Sequence, residues 1–195
     1  MRDVARSRPL HRILAAIALG LGSLAVVAGS PRRETNARID VEQLARIVES
    51  EDDHVTALEL AEWIKEGRPN LRIVDVRDSA SYESYHLPRA ERIALRELST
   101  ARFGKSETIV LYSDGGAHAA QGWVFLRALG FERVYFLRGG VLEWLDEVMN
   151  PVVSEAIADS AKADRAAEIS RYFGGVPRSS ASVPADATPV RRRGC

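Results

Sequence analysis

Residues able to do chemistry concentrate in one short stretch. Ser113-Asp114-Gly115-Gly116-Ala117-His118-Ala119 follows the apolar run Thr108–Tyr112 and combines a hydroxyl, a carboxylate, an imidazole and two adjacent glycines. Hydroxyl, imidazole and carboxylate are the components of serine-nucleophile hydrolysis, in which the base must touch the hydroxyl and the carboxylate must orient the base. On one short loop such side chains radiate outward instead of lining up. A serine without an adjacent base also keeps its proton near neutral pH, so a hydrolase is set aside. The glycines permit a different chemistry. They free the backbone to turn N–H groups inward beside a helix N-terminus, which makes a nest for a small anion. Ser113, Gly115, Gly116 and His118 are the candidate ligand contacts, with Asp114 opposing them electrostatically. The plainer alternative is a loop that only joins strand to helix. Asp75 and Arg77 end another strand-like run, where parallel sheets open their ligand crevices. They read as further ligand contacts or as a pair that pins neighbouring loops. His86, before Leu87-Pro88, reads as a loop-fixing hydrogen-bonder.

Cys195 is the only cysteine and the last residue. A single cysteine excludes an intramolecular disulfide, a cysteine-rich zinc site and a CxxC redox pair. Beside Gly194 and Arg191-Arg192-Arg193, the thiol sits in positive potential that favours the thiolate. Three readings stand: an incidental residue, an intermolecular disulfide tether, or a sulfur carrier. The four histidines show no metal-ligand spacing, so no metal or cofactor is expected. With 27 basic and 27 acidic residues the formal net charge is zero, against a nucleic-acid binder that relies on a basic face. The expected partners are an unidentified protein, a small anion or a sulfur carrier protein.

The positioning elements follow from pattern. Asp40 caps a helix to Glu49, and Thr56 opens a helix Ala57–Lys65 with Glu59 completing a capping box. Leu71–Val76 and Thr108–Tyr112 are buried strands, and Arg133–Leu137 is another. Tyr82–His86 and Ile93–Leu98 are short elements. Helices are predicted over Ala119–Leu129, Val141–Val148 and Val152–Phe173, with Gly174-Gly175 stopping the last. Trp63, Trp123 and Trp144 fall on helices as packing residues. This alternation indicates an α/β sandwich on a largely parallel sheet. At the N-terminus, Arg2, Arg6, Arg8 and Arg12 precede the apolar run Ile13–Ala28, a signal pattern with small residues Val26-Val27-Ala28 at the cleavage position. Uncleaved, residues 13–29 would instead anchor the chain in a membrane. Either way the remainder is placed outside the cytoplasm, periplasmic or facing out from an inner membrane. The division is therefore 1–30 signal or anchor, 31–53 linker with a short helix, 54–150 domain, 151–174 helix, and 175–195 flexible tail.

The order of signals over residues 54–148 resembles the rhodanese-like family. Ile73-Val74-Asp75-Val76-Arg77 is similar to that family's first strand with its Asp-x-Arg end. Tyr82 and His86-Leu87-Pro88-Arg89-Ala90 are similar to its aromatic-then-GHIPGA segment, with Tyr85 and Arg89 where glycines are usual. Ile109–Tyr112, Leu129-Gly130-Phe131, Val134–Gly140 and Trp144 complete the match. The resemblance implies a three-layer α/β sandwich around a central, mainly parallel five-stranded sheet. It also implies a loop that opens with a nucleophilic cysteine and closes with arginine. Here Ser113 and His118 hold those two places. Serine cannot carry a sulfane sulfur, so the resemblance implies a non-catalytic module linked to sulfur metabolism, or else sulfur transfer through Cys195.

Overall fold

The computed structural model describes residues 12–20, 40–153 and 160–179. Residues Met1–Asn36 and Ala37–Cys195 form separate units. In the first, residues 12–20 are helical (α1) with every side chain exposed. Among the described residues no helix is long and apolar enough to cross a membrane. The cleavage segment Val26–Ala28 and the terminal Cys195 lie outside the described residues.

The second unit is built on local signals that are satisfied. Asp40 caps α2 (Val41–Glu49) by accepting the Gln43 N–H at 2.9 Å. Thr56 and Glu59 form the expected capping box of α3 (Ala57–Lys65). That helix buries Ala57, Leu60, Ala61 and Ile64, one face at helical spacing.

Five strands make one sheet in the order β1-β5-β4-β2-β3. They are β1 (His54–Val55), β2 (Leu71–Asp75), β3 (Ala90–Arg92), β4 (Thr108–Tyr112) and β5 (Val134–Leu137). All four pairings are parallel. Central β4 is buried at all five positions, which explains why it reads as an unbroken apolar run: a parallel sheet is covered on both faces. Alternation along the strands splits the core in two. Ile73, Val110, Tyr112 and Leu137 face α3, Trp144 and Ile169. Val74, Ile109, Leu111 and Val134 face Trp123 and Leu126 of α5 (Ala117–Ala128).

Several elements depart from the sequence reading. Strands β1 and β3 are two and three residues long, too short for alternation to reveal them. Between β2 and β3 lies the short α4 (Ser79–Ser84), capped by Asp78. Helix α5 begins at Ala117, two residues early, because Gly116 takes a left-handed turn (φ 94°) as its cap. The helix after Gly139 is α6 (Gly140–Trp144), continued by a π turn Leu145–Met149. The predicted helix from Val152 is corrected: β-branched Val152-Val153 form a strand, β6, paired in parallel with β7 (Arg178–Ser179), as their stiff χ1 favours. Helix α7 is described over Ser160–Tyr172. Residues 176–179, expected within the tail, are folded against the domain. The Val176 N–H donates to Met149 O at 2.7 Å and the Arg178 N–H to Pro151 O at 2.9 Å.

Candidate functional site

The C-terminal ends of β2 and β4 bring the two groups of candidate residues together. Asp75 is fully buried and Arg77's side chain is 6% exposed. Arg77 donates from Nε and Nη2 to both Asp75 carboxylate oxygens, at 3.0 and 2.7 Å. Nη2 also donates to Tyr85 O at 2.6 Å, and Nη1 to Asp114 Oδ1 at 3.1 Å. Burial works against the guanidinium charge, but the hydrogen bonds and charges of Asp75 and Asp114 outweigh it and raise the Arg77 pKa. The pair thus ties the end of β2 to the α4–β3 connection and to the loop after β4. Its geometry is that of a pin.

The loop itself is laced down on its other side. Ser113 is buried, and its Oγ accepts the Gly116 N–H at 3.1 Å. Ser113 O and Asp114 O accept N–H groups from Val141 and Leu142 of α6 at 2.9 and 3.1 Å. That approach needs glycine at 140, whose φ is +60° and where a Cβ would stand 2.1 Å from Ser113 O. His118 lies exposed in the first turn of α5. Ser113, Asp114 and His118 therefore do not form a hydrogen-bonded relay: the serine is bonded to Gly116 and the aspartate to Arg77. Asp114, read from sequence as a negative charge opposing an anion at the loop, has a cationic partner in Arg77.

The surrounding residues hold one another in place. The Tyr112 hydroxyl accepts the Leu87 N–H at 3.2 Å, and burial raises its pKa, helped by Asp75. Trp144 Nε1 donates to Tyr85 Oη at 2.9 Å. His86 stacks on Tyr82 with 4.2 Å between ring centroids, its Nδ1 3.0 Å from Tyr82 O, which is the loop-fixing role expected of it. Arg89 adopts φ 65°, a left-handed conformation costing a non-glycine residue about 1–2 kcal/mol. Tyr85, by contrast, is extended at φ −164°, so no backbone strain attends the absence of glycine there. Sequence reasoning missed the Tyr85–Trp144 and Arg77–Asp114 contacts. They join residues 59 and 37 positions apart, and no local pattern announces such pairs.

Three clefts of about 590, 540 and 460 Å³ lie elsewhere, against α3, α7 and β1. Among the described residues no group of His, Cys, Asp and Glu could hold a metal.

The family model described as "Rhodanese-like domain" matches residues 56–147. With the parallel five-stranded sheet and the strand-end loop, this establishes that the chain carries a rhodanese-like domain and belongs to that family. Curated relatives include tRNA uridine(34) hydroxylases. The one from Wigglesworthia glossinidia brevipalpis is 32% identical over 84 residues, covering 38% of this chain and 26% of that protein. The one from Hamiltonella defensa is 29% identical over 100 residues, covering 47% and 28%. The chain thus spans about a quarter of these relatives' length. Among solved structures, a rhodanese-like domain from Anabaena sp. is 30% identical, covering 47% of this chain and 72% of that one with a TM-score of 0.44. A rhodanese-like domain protein from Staphylococcus aureus is 28% identical, covering 49% and 93% with a TM-score of 0.45.

Proposed function

We propose that this protein is an exported rhodanese-like module that binds a protein partner or a small anion and does not turn over a sulfane sulfur at the 113–118 loop. The carrying observation is the state of Ser113. Its hydroxyl stands where the family places a thiolate, is buried, and accepts a backbone N–H, with no base hydrogen-bonded to it among the described residues. A neutral hydroxyl there forms no persulfide. The loop keeps a glycine turn and leads straight into α5, whose first N–H groups lack helical partners and could face a bound anion, against the partly neutralised Asp114. The hydroxylase activity of the curated relatives is not carried over, because the match covers only the rhodanese-like stretch. Export is supported by the basic residues up to Arg12 and the apolar run Ile13–Ala28.

The test is a thiosulfate:cyanide sulfurtransferase assay on the full chain, its Cys195→Ser variant and a Ser113→Cys variant. Wild type yields no thiocyanate above background. Ser113→Cys restores little, because His118 still stands in the place of arginine. Substantial turnover by wild type that survives Cys195→Ser overturns the reading, while turnover lost in Cys195→Ser assigns the sulfur chemistry to the terminal thiol. Fractionating the producing cells checks export, and an unprocessed, wholly cytoplasmic chain refutes it.

A further inference from the structure

The Arg77 guanidinium is held firmly at one end and loosely at the other. Nε and Nη2 donate to both oxygens of buried Asp75, and Nη2 donates again to Tyr85 O. Nη1 has one partner among the described residues, Asp114 Oδ1 at 3.1 Å. The two side chains differ in exposure, 6% for Arg77 and 68% for Asp114. The backbone of Asp114 is fixed, because its carbonyl accepts the Leu142 N–H and lies against Gly140. Rotation of the Asp114 side chain alone therefore uncovers Nη1, with no shift of the loop. An exposed carboxylate in a single solvent-screened pair gives way easily. The guanidinium it leaves stays aligned by Asp75 and Tyr85, and a prealigned guanidinium is a strong donor to oxyanions. Further donors stand at the start of α5. Ser113 Oγ takes the Gly116 N–H and Gly116 O takes the Ala120 N–H, whereas those of Ala117, His118 and Ala119 have no acceptor among the described residues.

We propose that Asp114 is an autoinhibitory occupant of the anion site, displaced from Arg77 Nη1 by a divalent tetrahedral oxyanion. The proposal rests on the anion-binding reading of the 113–118 loop and adds to it a ligand class and a control. A monovalent anion in place of Asp114 exchanges one bond to Nη1 for another and gains little. A divalent tetrahedral oxyanion replaces that bond and has oxygens left for the N–H groups that open α5, where the helix dipole favours its second charge. Arg77 thus keeps a counter-charge, and the released carboxylate, already facing water, loses no solvation. Because the competitor is tethered beside the cation, its effective concentration is high, and the loop rejects weakly bound monovalent anions. Arg77 does two things in this arrangement. It pins the end of β2 through Asp75 and selects the ligand through Nη1.

Sulfate titration of the full chain and of its Asp114→Ala variant, at an ionic strength held constant with chloride, tests this by calorimetry and NMR. Asp114→Ala binds sulfate about fivefold or more tightly than wild type, the factor that a surface ion pair withholds. In wild type, saturation moves the Asp114 carboxyl carbon and the Arg77 side-chain N–H signals together with the amides of residues 117–119. Asp114 is exposed, so the variant still folds, and a nearly unchanged melting midpoint verifies that. Equal affinity in the two proteins overturns the proposal and leaves the anion reading standing. Tighter binding by the variant, with both side-chain signals of wild type unmoved, also overturns it and reduces Asp114 to a repelling charge. Sulfate binding by neither protein overturns the anion reading, and the proposal with it.

Discussion

The Arg77 guanidinium meets one carboxylate in the interior and another at the surface. Asp75 is fully buried, whereas the Asp114 side chain is 68% exposed. Removing the shared cation leaves Asp75 as an uncompensated buried charge, so Arg77→Met should destabilise the fold by about 3–5 kcal/mol. Asp114→Asn removes only a solvent-screened pair and should cost under about 1 kcal/mol. Urea unfolding of the two variants checks the contrast. Arg77→Lys should fall between them, because an ammonium cannot make the forked contact with both oxygens of Asp75. Equal losses in the two neutralised variants would mean that the surface pair, rather than the buried one, holds the loop.

Among the elements, the turn into α6 is the least tolerant of change. Gly139 and Gly140 both take positive φ, and a Cβ on Gly140 would press on Ser113 O at 2.1 Å and Asp114 O at 2.6 Å. Both obstacles are backbone and cannot rotate away. Gly140→Ala should therefore lower stability by roughly 2–4 kcal/mol through strain and forced backbone movement. It should also shift the amide resonances of residues 113–116 more than those of α3, which heteronuclear NMR reads directly. The Asp40 cap, the Thr56–Glu59 capping box, β2, β4 and β5 were legible in the sequence, because each is written in neighbouring residues. The strands β1 and β3 were not, since two or three residues carry no period. Nor was the β6–β7 pair, whose partners are about 25 residues apart, beyond the reach of any local pattern. For the candidate site, the sequence placed Asp75, Arg77 and Ser113 at the strand ends where the structure has them, whereas His118, expected to close the loop, lies in the first turn of α5. Which of them touch depended on the spacing of β2 and β4 in the sheet, a tertiary fact. The Asp114–Arg77 bond is the clearest case.

For the molecule as a whole, the family match ends at residue 147, yet the core does not. Ile169 is buried in the cluster with Leu60, Ile64 and Trp144, and Phe173 packs edge-on against Trp144 at 5.3 Å. The pairs Lys65–Glu168 and Arg165–Glu62 tie α7 to α3 at the surface. Such exposed pairs are each worth less than about 1 kcal/mol. Ile169→Ala should instead cost about 2–4 kcal/mol by opening a cavity, several times the loss from Glu168→Gln, as differential scanning calorimetry would register. The order of the strands has a further consequence for how this chain comes into being. Strand β1 finds its sheet neighbour in β5, about eighty residues further along, and distant pairings of that kind form late. A chain emerging from its N-terminus holds Val55, Leu60 and Ile64 ready while Leu137, Trp144 and Ile169 are still unmade. Synthesis halted before Leu137 would leave an apolar helix face and a bare strand edge in water, a form that chaperones hold and proteases cut. Nascent chains of this protein should thus become protease-resistant only once nearly the whole domain has appeared.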